Sequence, residues 1–326
     1  MTLAAVRAGG IAGFILRRVL LGVLVVLLVS GVVFAATQAL PGDPAQAILG
    51  RSATPESLAA LRQQLRLDRP VLEQYGSFLV GLLRGDLGTS LAAQQPVSQL
   101  LSERLVNSAF LVAIAGLVSI PLSVALGVLG ALRRDRPFDV TSGLVLLVLA
   151  SVPEFVVAVV LVILLATTVT QALPAISSIV PGGYPWDDPL GLILPVATLT
   201  IAVTPYVARV MRASMIEVLE SDYVEMARLK GLPERVVLLR HALPNALGPT
   251  LQVIAINLAY LAGGVVVVEY VFNFPGVGSA LQDAVVSHDL PVVQALAMLI
   301  AAIYVVLNLL ADIATILVTP RLRTRL

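Results

Sequence analysis

Apolar windows of 18 or more residues recur along this chain, and they constrain its fold more than any other feature. A helix of that length crosses a hydrocarbon layer about 30 Å thick. Backbone groups inside such a layer find no water, so they must pair within the segment, which means a helix. The windows fall at about 19–36, 106–132, 141–170, 190–210, 247–268 and 292–318. They predict an all-α membrane protein with six transmembrane helices. The charged fraction agrees: it is 13 % here, against about 25 % in soluble domains.

Arg7, Arg17 and Arg18 precede the first window. A basic start, an apolar run and the small pair Ala35-Ala36 also fit a signal peptide. The run is long for that role, which favours a retained first helix. Pro121, Pro153, Pro195 and Pro205 lie inside or at the ends of later windows. Each removes a backbone donor, so kinks are expected.

Arginines set the orientation. Arg7, Arg17 and Arg18, then Arg133, Arg134 and Arg136, then Arg209, Arg212, Arg228, Lys230, Arg235 and Arg240, then Arg321, Arg323 and Arg325 fall on alternate connections. The opposing loops at 171–189 and 269–291 contain no Lys or Arg. Both termini and the central polar segment are therefore expected in the cytoplasm. Residues 1–40 then form a cytoplasmic start and the first span. Residues 41–103 form an extracytoplasmic loop, and 104–326 form a five-helix core. Two helix signals make that loop a folded element: Thr54-Pro55 with Leu58, Leu61 and Leu65 on one face, and a second helix from Pro70 to Gly85.

Known chemistries are missing. The sole lysine, Lys230, is followed by Gly231, so no phosphate-cradling GxxxxGK[ST] loop exists. No HExxH or GxSxG motif occurs, and the chain has no cysteine. His241 and His288 are too few and too far apart in sequence for a metal centre. Glu154 and Asp312 are the main acids inside the windows, with Glu269 at an outer edge. A proton-driven transporter more often carries several such groups.

The stretch 221–244, SDYVEMARLKGLPERVVLLRHALP, is the polar island of the chain. Ser221-Asp222 fits an N-cap, Tyr223 to Lys230 fits about two turns of helix, and Gly231 fits a C-terminal stop. A second helix from Pro233 through Arg240-His241 is expected to end before Pro244. Pattern alone leaves two readings, a cationic connector that anchors the spans or a protruding knob that docks in a groove.

The island resembles the EAA loop of ABC importer permeases. Glu225, Ala227, Gly231, Leu243 and Pro244 match, with Met226 in place of alanine and His241 where isoleucine is common. Further stretches are similar to the dipeptide/oligopeptide permease family nearly end to end. They include Pro41-Gly42-Asp43-Pro44, Leu67-Asp68-Arg69-Pro70, Gly85-Asp86-Leu87-Gly88, Asp222-Tyr223, Glu269-Tyr-Val-Phe272 and Pro275-Gly276-Val-Gly278. Glu154 departs from the pattern, at a position that is usually small or hydroxylated.

The resemblance implies a type I ABC importer (MetI-like) permease fold in a prokaryotic cell membrane. It implies a non-enzymatic subunit that rocks between outward and inward access and carries di- or oligopeptides. Relatives handle glutathione, nickel complexes and other solutes; a stand-alone channel or secondary transporter is the alternative from another class. Implied partners are a second homologous permease, two ATP-binding subunits or one fused ATPase, an extracytoplasmic solute-binding protein and the lipid bilayer, with no nucleic acid. No cofactor is expected in this chain; ATP and Mg belong to the ATPase subunits. The first island helix would dock on the ATPase through Asp222, Tyr223, Glu225, Met226, Ala227, Arg228, Lys230 and Gly231. The outer loops at 41–103 and 272–290 would meet the binding protein.

Asn257, Asn308 and Asp312 are candidates for the pathway or its gate. A helix–helix hydrogen bond is the more economical account of each. Glu154 is expected to pair with Arg133 or Arg136, and Gly263-Gly264 to permit close helix packing.

Overall fold

The computed structural model describes residues 10–39, 45–46, 53–64, 68–180 and 182–318. Arg7, the 41–44 motif, Leu65, the side chain of Leu61 and the arginines at 321, 323 and 325 lie outside the described residues. In chain order, α1 (Gly10–Ala39) is followed by α2 (Pro55–Gln64), α3 (Val71–Leu83), α4 (Val97–Leu132), α5 (Pro137–Ser151) and α6 (Glu154–Val162). Then come α7 (Ile193–Leu219), α8 (Asp222–Leu229), α9 (Leu243–Val271), α10 (Val277–Val286) and α11 (Leu290–Val318). Among the described residues the only β pairing is an isolated bridge between Thr89 and Pro96.

Six spans result. α1, α4, α7 and α11 are long and apolar enough to cross as single helices, and two bent pairs complete the set. α5 and α6 meet at 104° around Pro153, and α9 bends by 48° near Gly263. Of the prolines expected to kink helices, only Pro153 interrupts one; Pro121 and Pro205 sit inside continuous helices. At the Pro153 break the Tyr206 hydroxyl reaches the Ala150 carbonyl at 3.4 Å, re-satisfying a freed acceptor.

α4 and α7 form the most extensive helix pairing, α9 packs on both α7 and α11, and α1 lies along α11. The core is apolar: Leu111, Leu199, Val203, Val207, Leu261 and Val268 are fully or almost fully buried. α1 exposes most of its side chains, as a helix on the lipid side of a bundle would. The connections fall into two groups. The arginine-rich ends of α1, α4, α5 and α7 form a basic side, and the opposite connections form an acidic side.

The two helices expected in the first connection are present as α2 and α3. At α2, the Ser57 amide donates to Thr54 Oγ1 at 3.2 Å and the Thr54 amide to Ser57 Oγ at 2.9 Å. α3 ends on Gly85 at φ +74°, with the Asp86 amide donating to the Gly81 carbonyl at 2.9 Å. α4 begins at Val97, well before the apolar window at 106, so part of the expected loop is the polar first turns of a span.

One contact ties this connection to the last one. Buried Asp289 accepts hydrogen bonds from Ser90 Oγ at 2.5 Å and from the Leu91 and Ala92 amides at 3.1 Å each. Beneath it, Val97 and Leu101 pack with Ala280, Ala284 and Leu296. Asp289→Ala should cost roughly 3 kcal/mol of local opening free energy, since two amides lose a charged acceptor. Hydrogen exchange at Leu91 and Ala92 checks this, with protection falling about 100-fold.

Candidate functional site

The polar island sits on the basic side, and its parts explain its shape. Ser221 takes the extended backbone of an N-cap, but its hydroxyl donates to the Val218 carbonyl at 2.5 Å and caps nothing. α8 buries Val224 and Ala227 against Val237, with Val218 and Leu219 alongside. That packing turns Tyr223, Met226 and Leu229 outward, at 45 %, 54 % and 74 % exposure. Spaced by three, they form one apolar stripe on a free helix face. Asp222, Glu225 and Lys230 are exposed around it.

Gly231 ends α8 at φ +78°, a conformation that a side chain strains. The Gly231 amide donates to the Arg228 carbonyl at 2.9 Å and the Leu232 amide to the Ala227 carbonyl at 3.3 Å, which closes the last turn. Arg228 Nη2 donates to Glu234 Oε1 at 2.8 Å, so this side chain is tied back within the loop. That contact holds the Glu234 carboxyl below its ordinary range. A lowered carboxyl contributes stability at neutral pH and loses it as pH falls through the lowered value. Both groups are exposed, so the pair is worth less than about 1 kcal/mol.

The second island helix differs from its expectation. It does not stop before Pro244. Glu234–Val236 passes into a π-turn, Val237–Ala242, which leads directly into α9. Pro244 follows directly on the π-turn inside this continuous run, where the widened turn accommodates a residue without an N–H.

Two ion pairs fix α7 where it enters the island. Arg212 forms a bidentate pair with Asp139 of α5, at 2.5 and 2.6 Å, and Asp139 is buried. Arg134, just after α4, pairs with Glu220 at the end of α7. The Asp139 carboxylate also accepts the Asp135 amide at 3.0 Å, which closes the turn between α4 and α5. The arginine bias identified these side chains as topology signals only; an aspartate opening the next span was the overlooked cue. Arg212→Met leaves Asp139 buried without its cation, and should lower stability by about 3 kcal/mol. A thermal-unfolding midpoint measured in detergent checks this, with Arg212→Lys losing less.

The expected pathway residues separate. Asn257 lies in a cavity of about 470 Å³ between α7 and α9, with Tyr206, Arg209, Ser214 and Glu217. Its Nδ2 donates to the Val253 carbonyl of its own helix at 2.8 Å. Asn308 likewise bonds its own helix, at the Tyr304 carbonyl. Asp312 pairs with Arg18 of α1 at 3.0 Å, which makes it a clasp between the first and last spans. Glu154 is not paired with Arg133 or Arg136, because all fifteen residues of α5 separate it from the basic side. It accepts from the Tyr260 hydroxyl at 3.1 Å, and Gly264 leaves it room: a Cβ there would lie 2.9 Å from its carboxylate.

On the acidic side, Glu269 is fully buried at the end of α9. It accepts from Ser108 of α4 and, at 2.6 Å, from the Gly278 amide at the start of α10. In the neighbouring loop Asp188 accepts from the Ser178 amide, the Ser178 hydroxyl and the Gly191 amide, which hold its carboxyl below the usual range. Among the described residues no group of acids and histidines is placed to hold a metal ion.

Comparison with known proteins places this architecture. Residues 93–324 match the family model described as binding-protein-dependent transport system inner membrane component, and residues 11–111 match the model of its N-terminal region. A probable peptide ABC transporter permease of Sinorhizobium fredii is 39 % identical over 95 % of this chain and 99 % of its own length. A putative peptide transport system permease of Brucella abortus is 39 % identical over 95 % and 98 %. A glutathione transport system permease of Salmonella choleraesuis is 33 % identical over 95 % and 98 %. Six spans, a folded first connection and two family models that together cover nearly the whole sequence make this chain a multi-pass membrane permease of the binding-protein-dependent ABC importer family.

Proposed function

We propose that this chain is one of two membrane subunits of an ATP-driven peptide importer, with its basic side in the cytoplasm. α8 docks into a groove on an ATP-binding subunit through Tyr223, Met226 and Leu229, with Asp222, Glu225 and Lys230 at the rim. Gly231 closes the knob. Arg228 braces it from within through Glu234, and Ala227 roots it against Val237. ATP and Mg are held by the ATPase subunits, and this chain carries no hydrolytic chemistry. A second homologous permease completes the pathway. An extracytoplasmic binding protein delivers solute to the acidic side.

The observation that carries this reading is the outward apolar stripe of α8 beside two arginine pairs that fix its base. A connector that merely anchored spans would not present three large apolar side chains to water. Closure of the ATP-binding subunits would push α8, and the clamped α7 would carry that motion to the cavity around Asn257. Peptide as the solute class is supported by the relatives at 39 % identity. Glutathione, itself a small peptide, stands second on the relative at 33 %.

The test is uptake by the assembled importer in proteoliposomes. Glu225→Lys should lower uptake about tenfold, the effect of one lost interfacial contact, while the chain still assembles with its partner permease. Gly231→Arg should abolish coupling between ATP hydrolysis and uptake. Unchanged uptake in both variants would rule out docking through α8.

A further inference from the structure

Glu154 opens α6 directly after the Pro153 break, inside the bent span that α5 and α6 form together. A carboxylate at that depth is costly, and it faces a partner or a cavity. The first turn of a helix offers an acid one ordinary use, because its free amides attract negative charge. Glu154 does not take it. The hydrogen bond its carboxylate accepts among the described residues comes from the Tyr260 hydroxyl of α9, at 3.1 Å. Gly264, one turn further along α9, leaves bare backbone against the group: a Cβ there would lie 2.9 and 3.0 Å from its two oxygens. Glu154 is therefore held half-buried between helices and turned away from its own amides.

Two tyrosines frame it. Tyr206 of α7 and Tyr260 of α9 both reach the residues around the break, the first at the Ala150 carbonyl and the second at Glu154. They remain 43 % and 49 % exposed. Tyr206 also lines the cavity of about 470 Å³ between α7 and α9, and Asn257 of that cavity stands one turn before Tyr260. Because α9 runs from the basic to the acidic side, Glu154 and Tyr260 stand at the acidic-side end of this hollow. A carboxylate beside aromatic rings is the chemistry that recognises an ammonium group.

No cation of this chain occupies that position. Glu154 is in no ion pair among the described residues. Arg209, one turn beyond Tyr206 toward the basic side, is turned onto its own helix. Its Nε donates to the Pro205 carbonyl at 3.2 Å, and its guanidinium carbon lies 5.7 Å from the centre of the Tyr206 ring.

We infer that Glu154, with Tyr206 and Tyr260, is a contact point in the translocation pathway for the protonated amines of a peptide, and that it favours cationic over acidic cargo. The inference rests on the peptide reading above. A cation on the partner permease is the competing occupant. The hollow beside Tyr206 favours a small solute, because helices packed face to face fill such space.

The experiment uses the full importer in proteoliposomes, with the binding protein preloaded with either Ala-Lys-Ala or Ala-Glu-Ala, so that its own preference does not enter. ATP hydrolysis stimulated by the loaded binding protein measures assembly. The unaltered chain should import Ala-Lys-Ala faster than Ala-Glu-Ala. Glu154→Gln, which keeps an acceptor for Tyr260, should lower the ratio of the two rates about tenfold. Gly264→Ala keeps the carboxylate but fills its room; it should lower the ratio in the same direction, and it decides the matter if Glu154→Gln does not assemble. An unchanged ratio overturns the inference, and equal slowing of both peptides would assign Glu154 to a cation of the partner permease instead. An unaltered assembly that hydrolyses ATP yet imports neither peptide overturns the peptide reading itself.

Discussion

Backbone amides at interruptions in a membrane bundle have little water to turn to, and this structure satisfies them with carboxylates. Asp139 accepts the amide of Asp135 in the turn between α4 and α5. Asp188 accepts two amides in the loop before α7, and Glu269 accepts one at the start of α10. Asp289 accepts two from the first connection. A charged acceptor makes the stronger kind of hydrogen bond. These few acids fix where each span begins and which connection lies against which. The low acid content therefore carries structural meaning. Several of the acids hold a turn or a junction in place.

The same economy separates the two sides of the molecule. On the acidic side Asp289 joins the first and last connections, and Glu269 joins α4, α9 and α10 into one block. On the basic side the clamps are ion pairs to arginine, Asp139–Arg212 and Glu220–Arg134. They hold α7 at its junction with α8 and leave the apolar stripe of α8 free. Under the proposed function this is a lever with a fixed root and an open head. α7 then links the head to α4, its most extensive partner, and to the cavity around Asn257. A push on the basic side thus reaches the middle of the bundle along one helix.

Much of this was legible in the residues. Apolar windows gave six spans because the length of a crossing helix is set by the bilayer. Thr54-Pro55 and Gly85 marked helix ends because cap chemistry is local. The glycine turn at Gly231 was readable for the same reason. What escaped the sequence were contacts between distant segments. Asp312 read as a gate candidate or, more economically, a helix–helix contact, and the sequence could not name Arg18 as its partner; Glu154 read as a partner of arginines and meets Tyr260 instead. Each outcome depends on how spans pack, which spacing along one helix does not encode. The π-turn at Val237–Ala242 escaped because Pro244 looks like a stop, and only the widened turn before it lets the helix continue.

The chain has no cysteine of its own, so one introduced thiol reports a single position. Met226→Cys, at the centre of the α8 stripe, should cross-link to an ATP-binding subunit in the assembled importer. In intact cells it should resist a membrane-impermeant maleimide. Labelling of that thiol from outside, or cross-linking only to the binding protein, would contradict both the orientation and the docking role of α8.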